Sequence, residues 1–266
     1  MRDDGTVPET FAARFAQARS GPGPLVWGLD PSAALLRAWG LGDDPDGLDR
    51  FADIMLAAAA GTVGLVKPQS AFFERHGWRG FRTLSRLIAG ARSAGLLVVL
   101  DVKRGDVGRT NDAYAEAFLG PGAPLEADAV TVHPYLGLAA MGAFVSRACQ
   151  AGSCLLVDVI GKLNRTLAPG QIGPVGAVVG PTRIEPELYL AGAQALFLGP
   201  GVGAQGATPE DVAQVFAACP DRVMPSASRS LLAAGPDINA LQDRAAAMAA
   251  EFRRLLPAST DAARTI

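Results

Sequence analysis

Short apolar runs alternate with amphipathic stretches along most of this chain. The apolar runs cover residues 25–29, 63–66, 96–100, 129–132, 154–160, 175–179, 195–198 and 222–225. Between them, apolar residues recur at helical spacing, as in residues 48–60, 81–94, 111–118 and 209–218. Apolar strands separated by helices are typical of a parallel sheet covered on both faces. Eight such units predict an α/β fold, a (β/α)8 TIM barrel. A doubly wound open sheet is the alternative, because closure cannot be seen in a sequence.

The pattern indicates a single domain with short additions at both ends. We expect the barrel at residues 24–256, an N-terminal helical extension at 1–23 and a C-terminal tail at 257–266. The extension contains a helical pattern at 10–18, followed by a turn rich in glycine and proline. The unit after the fifth strand is too short and too broken for a normal helix. We therefore expect an irregular or missing covering helix there.

Composition narrows the class of protein. The chain has 266 residues, of which 49% are hydrophobic and 19% charged, as in a compact enzyme rather than a disordered chain. Its net charge of -2 gives no reason to expect nucleic acid as a partner. No apolar run has membrane-spanning length, and the start lacks the features of a signal peptide. These features predict a cytoplasmic protein without a membrane partner.

The cysteines and histidines give little sign of a metal site. Cys149, Cys154 and Cys219 lack metal or redox spacing, so we expect reduced and mostly buried thiols. His76 lies among charged residues and is expected on the surface. His133 follows a strand, and it could line a pocket or be a hydrogen-bonded structural histidine. With two histidines in the chain, a metal site is not expected.

Polar residues follow most of the apolar runs. Because the carboxyl ends of parallel strands meet at one rim of a barrel, these residues should lie close together. Candidate site residues are Asp30 after the first strand, Lys67 after the second, Asp101, Lys103, Asp106 and Thr110 after the third, Gly203 and Gln205 after the seventh, and Arg229 after the eighth. The sequence therefore predicts an active site at this rim.

The segment after the third strand carries an Asp-x-Lys-x-x-Asp pattern. Side chains alternate along a strand, so Asp101 and Lys103 should point to the same side. Buried carboxylates and ammonium groups are costly unless they pair, and a catalytic centre can use such a fixed array of charges. Taken alone, the pattern is also compatible with a structural ion pair at a strand end.

The loops after the seventh and eighth strands suit a phosphate group. Residues 199–206 are rich in glycine, which lets backbone N–H groups approach an anion closely. Arg229 adds a forked donor that matches phosphate oxygens. A glycine run alone would also fit a tight turn.

Several ordered motifs make the chain resemble orotidine 5'-phosphate decarboxylase of the bacterial Asp-x-Lys-Arg-Gly-Asp type. The resemblance extends from about residue 24 to residue 236. The segments that carry it are 65–74, 101–110, 134–137, 175–180 and 200–206. It implies a carbon–carbon lyase that converts orotidine 5'-phosphate to uridine 5'-phosphate and carbon dioxide in pyrimidine synthesis, without a metal or organic cofactor.

The resemblance also implies roles for the candidate residues. Lys67, Asp101, Lys103 and Asp106 would form the catalytic network, in which Lys103 stabilises and protonates the carbanion at C6 of the pyrimidine. Asp106 and Thr110 would complete the site of a partner subunit, which implies a homodimer. The remaining residues would bind substrate: Asp30 and Thr110 at the ribose, and Gln205 and Arg229 at the 5'-phosphate beside Gly203.

One element departs from that family. Its bacterial members usually carry a Thr-Ser-Asn-Pro-type loop after strand five, whose serine contacts the pyrimidine. Here Ile160 falls near the expected serine and lacks a hydroxyl. Lys162, Asn164 or Arg165 could replace the lost contact. The departure leaves two alternatives open: a diverged homologue that decarboxylates another carboxylated nucleotide in specialised metabolism, and a non-catalytic nucleotide-binding relative. A related magnesium-dependent family that acts on sugar phosphates carries an acidic residue where this chain has Lys67.

Overall fold

The computed structural model of the chain describes residues 9–157, 171–182 and 190–257. Eight parallel strands form a closed barrel in sequence order. They are β1 (Val26–Leu29), β2 (Leu65–Pro68), β3 (Leu97–Arg104), β4 (Ala129–Val132), β5 (Cys154–Val157), β6 (Val175–Val178), β7 (Phe197–Pro200) and β8 (Val223–Ala227). Val26 of β1 pairs with Ser226 of β8, so no edge is left open. The predicted (β/α)8 barrel is therefore confirmed over the open sheet.

Helices surround this barrel on the outside. Those in the described part of the chain are α1 (Phe11–Ser20), α2 (Ala33–Ala38), α3 (Pro45–Ala59), α4 (Ser70–Glu74), α5 (Gly77–Ser93), α6 (Gly108–Leu119), α7 (Gly142–Ala151), α8 (Pro209–Val215), α9 (Arg229–Leu232) and α10 (Ile238–Leu255). Helix α3 begins three residues before the predicted start, because the Asp44 carboxylate accepts the Gly47 N–H at 2.8 Å and Pro45 suits the first helical position.

The core has two layers, and the inner layer is closed at one end by α1. Phe11 and Phe15 of this helix are almost fully buried and pack with the side chains that fill the barrel interior, including Val99 and Met224. Burial of each phenylalanine contributes about 2 to 3 kcal/mol. Helix α1 thus forms the floor of the barrel, at the end opposite the carboxyl ends of the strands.

An ion pair fixes this floor. Arg14 of α1 pairs with Asp128 and donates to the carbonyl of Gly152 at 3.2 Å. Asp128 lies just before β4, is 4% exposed, and also accepts the Val98 N–H at 2.8 Å. The buried carboxylate is therefore satisfied from two sides, as a buried charge requires.

His76 is of intermediate exposure, and its side chain is more covered than the surface prediction implied. Its side chain is only 8% exposed, with Nε2 3.8 Å from a carboxylate oxygen of Asp43. The charged neighbours in sequence suggested an exposed position, but the start of α5 packs against the segment that precedes α3. Burial, followed by the positive charge of Arg75, lowers the pKa of His76.

The irregular unit after strand five lies mostly outside the described residues. The structure shows β5 as far as Val157, so the predicted end of that strand at 158–160 is not described. The same holds for Ile160, Lys162, Asn164 and Arg165 and for the expected irregular or missing helix. Of the cysteines, Cys154 and Cys219 are buried and Cys149 is exposed. No helix in the described part of the chain combines the length and apolar character that crossing a bilayer requires.

Candidate active site

A cavity of about 310 Å³ opens at the carboxyl ends of the strands. Predicted residues that line it are Asp30, Lys67, Asp101, Lys103, Gln205 and Arg229. Four further polar residues line the cavity. Gln69, Ser226 and Ser228 also follow the ends of predicted strands but are not among the candidate residues, whereas Thr131 lies within a predicted strand and was not anticipated. The expected convergence of charged positions at one rim is thus present in the structure.

Asp101 is the centre of the charged cluster. Its Oδ2 accepts Lys67 Nζ at 2.9 Å, and its Oδ1 accepts Lys103 Nζ at 2.5 Å. The side chains of Lys67 and Asp101 are each 8% exposed, whereas that of Lys103 is 50% exposed. Two ammonium groups therefore share one buried carboxylate, and of the two lysines, which both line the cavity, Lys103 is the more exposed to solvent.

The pairing keeps Asp101 ionised. Burial alone would raise the pKa of its carboxyl group, but the positive charges of Lys67 and Lys103 outweigh burial and hold the pKa below the ordinary value of 3.8. At neutral pH the cluster thus carries one negative and two positive charges. It presents a net positive field to the cavity.

A bulge at the end of β3 brings Asp101 and Lys103 together. The pairing with β4 shifts register between Leu100 and Arg104, and Lys103 has a φ of 46°. A left-handed conformation costs a non-glycine residue about 1 kcal/mol. The two side chains meet as predicted, but through this irregular backbone and not through simple strand alternation.

Gly105 is required beside this bulge. A Cβ atom at Gly105 would lie 2.2 Å from the carbonyl oxygen of His133, so only glycine allows β4 to approach so closely. The neighbouring Arg104 donates to Glu74 at 2.6 Å and to the carbonyl of Val102 at 2.8 Å. The outer side of the bulge is therefore tied to α4.

The loop after β7 forms the other end of the cavity. Gly201 has a φ of 98°, and a Cβ there would lie 2.7 Å from Oε1 of Gln205. Gly203 belongs to the loop but does not line the cavity; its N–H donates to the carbonyl of Ala207 at 2.8 Å. Arg229 begins α9 on the facing side. Gln205 and Arg229 thus present an amide and a guanidinium to the same space.

Two polar atoms that line this space have no partner within the described structure. They are Oδ1 of Asp30 and Oγ of Ser228, and both are buried. Buried polar atoms normally carry hydrogen bonds. A ligand hydroxyl would donate to Asp30 Oδ1, and the Ser228 hydroxyl would donate to a ligand oxygen.

Asp106 and Thr110 do not line the cavity of their own protomer. Asp106 Oδ1 accepts the Val107 N–H at 2.8 Å, and Asn111 fixes the loop by accepting the Asp106 N–H at 2.9 Å. Thr110 is exposed. Their assignment to a partner's site stays a prediction.

The surface beside these residues is partly apolar. Val107, Tyr135 and Leu136 are exposed by 53%, 85% and 53%. His133 is exposed, with its ring stacked against Tyr135, and it does not line the cavity. Of the two alternatives for His133, the pocket position is wrong.

A site for a metal ion is not formed by the described residues. Within 9–157, 171–182 and 190–257, no three His, Cys, Asp or Glu side chains lie close enough together to hold one. The cations nearest to Asp101 are the two lysine ammonium groups.

Comparison with known proteins gives one consistent result. Residues 23–168 match the model of the "Orotidine 5'-phosphate decarboxylase / HUMPS family". Orotidine 5'-phosphate decarboxylases of Salinispora arenicola and Streptomyces coelicolor are 44% and 42% identical to this chain, each over 94% of it and 100% of the relative. A crystal structure assigned to the same enzyme from Streptomyces avermitilis has a TM-score of 0.89 at 39% identity, covering 97% of this chain and 100% of that one.

Proposed function

Because the chain belongs to the orotidine 5'-phosphate decarboxylase / HUMPS family, we propose that it converts orotidine 5'-phosphate to uridine 5'-phosphate and carbon dioxide. The chain is a decarboxylase, a lyase of pyrimidine synthesis. The resemblance stated from the motifs is thereby confirmed, and the alternatives of another nucleotide substrate or a non-catalytic relative find no support.

The observation that carries the proposal is the pairing of Asp101 with two lysines. Loss of carbon dioxide leaves a carbanion at C6. Its charge stays on that carbon, because the pyrimidine ring offers no conjugated position to spread it. An ammonium fixed beside C6 stabilises that charge and can then donate the proton that completes the product. Lys103 is the candidate, since its side chain is half exposed at the cavity while Asp101 holds its Nζ at 2.5 Å.

Electrostatic stabilisation of the carbanion by the Lys103 ammonium is large enough to change the reaction rate strongly. A unit charge pair about 4 Å apart is worth about 4 kcal/mol at an effective dielectric constant near 20. That energy corresponds to a rate factor of about 1000. Asp101 would lie against the substrate carboxylate, and the repulsion would be relieved as neutral carbon dioxide leaves.

Lys67 separates this site from the magnesium-dependent branch with the same Asp-x-Lys-x-x-Asp pattern. That branch carries an acidic residue at this position. Here the Lys67 ammonium lies 2.9 Å from Asp101 Oδ2. It occupies the space and neutralises the carboxylate that a divalent cation would need as a ligand. This arrangement favours a mechanism in which Lys103 supplies the proton and Lys67 takes the position beside Asp101 that a divalent cation would need.

The far end of the cavity would bind the 5'-phosphate. Arg229 and Gln205 offer donors there, and binding energy gained at the phosphate can orient the pyrimidine at Lys103. Asp30 would accept a ribose hydroxyl, which supplies a partner for its unsatisfied Oδ1. Asp106 and Thr110 would reach the site of a second protomer, with the apolar surface at Val107 packed between subunits.

A homodimer with shared sites is therefore part of the proposal, and we place it in the cytoplasm. All three cysteines are free of disulfide bonds, as a reducing compartment requires. Light scattering across a dilution series should show a dimer. Mixing an Asp106→Asn variant with a Lys103→Ala variant should restore part of the activity, because one site of the mixed dimer is then intact.

The activity itself is tested with purified protein and orotidine 5'-phosphate in a chelating buffer, by loss of the orotate absorbance. We expect turnover that is unchanged by added magnesium. Orotidine without the 5'-phosphate is the matched control substrate, and it should react far more slowly. Absence of turnover of orotidine 5'-phosphate by folded, dimeric protein would overturn the proposed function.

A further inference from the structure

Thr131 is the single β4 residue that faces the bulge of β3. The register pairs Leu100 with Val130 and Arg104 with Val132. Three residues of β3, including Asp101 and Lys103, therefore lie opposite Thr131 alone. Backbone groups inside such a bulge lose their regular partners on the neighbouring strand. The side chain of the facing residue is in position to replace them.

The hydroxyl of Thr131 makes two bonds to the bulge. It accepts the backbone N–H of Lys103 at 3.1 Å and donates to Asp101 Oδ1 at 2.8 Å. The same Oδ1 accepts Lys103 Nζ at 2.5 Å. The backbone and the ammonium of Lys103 are thus joined in a closed hydrogen-bonded ring through Thr131 and Asp101. Thr131 is 1% exposed, so water does not compete for these bonds.

We propose that Thr131 is a positioning residue that holds Lys103 in its left-handed conformation and so fixes its ammonium relative to the substrate. Lys103 has a φ of 46°, a conformation that the surrounding structure must maintain for a residue with a Cβ. The threonine hydroxyl is the group that bonds the N–H of this residue. It acts through Lys103 and Asp101 and need not touch the reacting atoms.

The shape of threonine is not sufficient for this role. Valine has nearly the same volume but cannot accept the Lys103 N–H or donate to Asp101. Thr131→Val should therefore leave the barrel folded while releasing both bonds. Thr131→Ser keeps the hydroxyl and should retain the function. Thr83→Val is a matched control, because Thr83 is also buried and its hydroxyl donates to Asp49 at 2.6 Å, outside the cavity.

The backbone bond can be tested without any substrate. The chain has three lysines, at positions 67, 103 and 162, so selective 15N-lysine labelling gives three backbone amide signals that substitutions at 67 and 162 can assign. In Thr131→Val, hydrogen exchange of the Lys103 amide should accelerate about tenfold, as loss of one hydrogen bond implies. Thr131→Ser and Thr83→Val should leave it unchanged. Equal exchange in Thr131→Val and wild type would overturn the proposal.

The kinetic consequence rests on the proposed function. A displaced ammonium should lower kcat of Thr131→Val by about 10- to 100-fold, whereas KM and the affinity for uridine 5'-phosphate should change less than about threefold. Thr131→Ser should recover most of kcat, and Thr83→Val should match wild type. If wild type turns over substrate and Thr131→Val has the same kcat, the inference fails and the function stands. If wild type itself has no activity, the proposed function fails, and the exchange experiment still decides the role of Thr131.

Discussion

Replacing Lys67 by methionine removes one of the two cations that hold Asp101. The substitution keeps a similar length and volume, so loss of charge is the main change. Lys67 Nζ and Asp101 Oδ2 are 2.9 Å apart, and both side chains are 8% exposed. At an effective dielectric constant near 20, this distance corresponds to a gross attraction of about 6 kcal/mol.

The unfolding free energy that is lost in Lys67→Met is smaller than this gross attraction. Removing one partner of a buried pair costs about 3 to 5 kcal/mol, because the remaining charge stays buried. Asp101 retains Lys103 and Thr131 in Lys67→Met, so we expect the lower end, about 3 kcal/mol of unfolding free energy at pH 7. Urea denaturation at one fixed protein concentration measures this difference, since dimerisation would couple stability to concentration.

The pH dependence identifies the carboxylate as the cause. The folded-state pKa of Asp101 lies below its ordinary value of 3.8, so its stabilisation is fully present above that value and is lost as the pH falls through the folded pKa. In Lys67→Met the pKa of Asp101 should rise, because burial then meets less opposing charge. The difference between variant and wild type should stay constant at neutral pH and shrink in acid, once Asp101 of the variant protonates.

A surface pair provides the control for this experiment. Arg79 lies 3.1 Å from Asp46 across α3 and α5, with side chains 44% and 81% exposed. Arg79→Met should cost less than about 1 kcal/mol. If Lys67→Met is no more destabilising than Arg79→Met, or if its cost does not change in acid, the account of Asp101 as a buried centre of charge is refuted.

Three further predictions concern the substrate, the bulge and the barrel floor. Arg229→Ala should lower kcat/KM for orotidine 5'-phosphate by about 100-fold, as loss of a charged phosphate contact implies, while the slow turnover of unphosphorylated orotidine stays the same. Steady-state kinetics with both substrates tests this, and an equal fall for both substrates would contradict the assignment of Arg229 to the phosphate. In a double-mutant cycle, the effects of Glu74→Gln and Arg104→Met on the free energy of unfolding should differ from additivity by about 1 kcal/mol, because Arg104 donates to Glu74 at 2.6 Å. Additive effects would argue against an energetic contribution of this pair. Arg14→Met should lower unfolding free energy by about 3 kcal/mol, since it leaves Asp128 buried with less compensation. Its kcat should be unchanged, and a large loss of kcat would show that the floor and the site are not independent.

Much of the fold follows from the apolar pattern alone. Each of the eight predicted strands is present because its apolar run is buried in the barrel. The boundaries are less predictable. Strand β3 continues to Arg104, four residues beyond the predicted end at residue 100, because polar residues of the site still belong to the strand. Closure depends on pairing between β1 and β8, which are distant in sequence.

The site was predictable where a charged residue follows a strand. Lys67, Asp101 and Arg229 could be found in this way, and the structure brings all three to one cavity. Thr131 could not, because a threonine within a predicted strand usually reflects β propensity. Its role depends on the register shift between β3 and β4, which no local pattern encodes. The low exposure of the His76 side chain was not predicted, because it arises from the packing of the start of α5 against the segment that precedes α3.

The most direct test of the account is the effect of Lys103→Ala on decarboxylation of orotidine 5'-phosphate. Single-turnover rates and the affinity for uridine 5'-phosphate would be measured for wild type and variant in chelating buffer. If the Lys103 ammonium stabilises and protonates the carbanion, the rate should fall by a factor of about 1000 or more, while product affinity changes little. A variant that binds product normally and retains a rate within about tenfold of wild type would contradict the central claim.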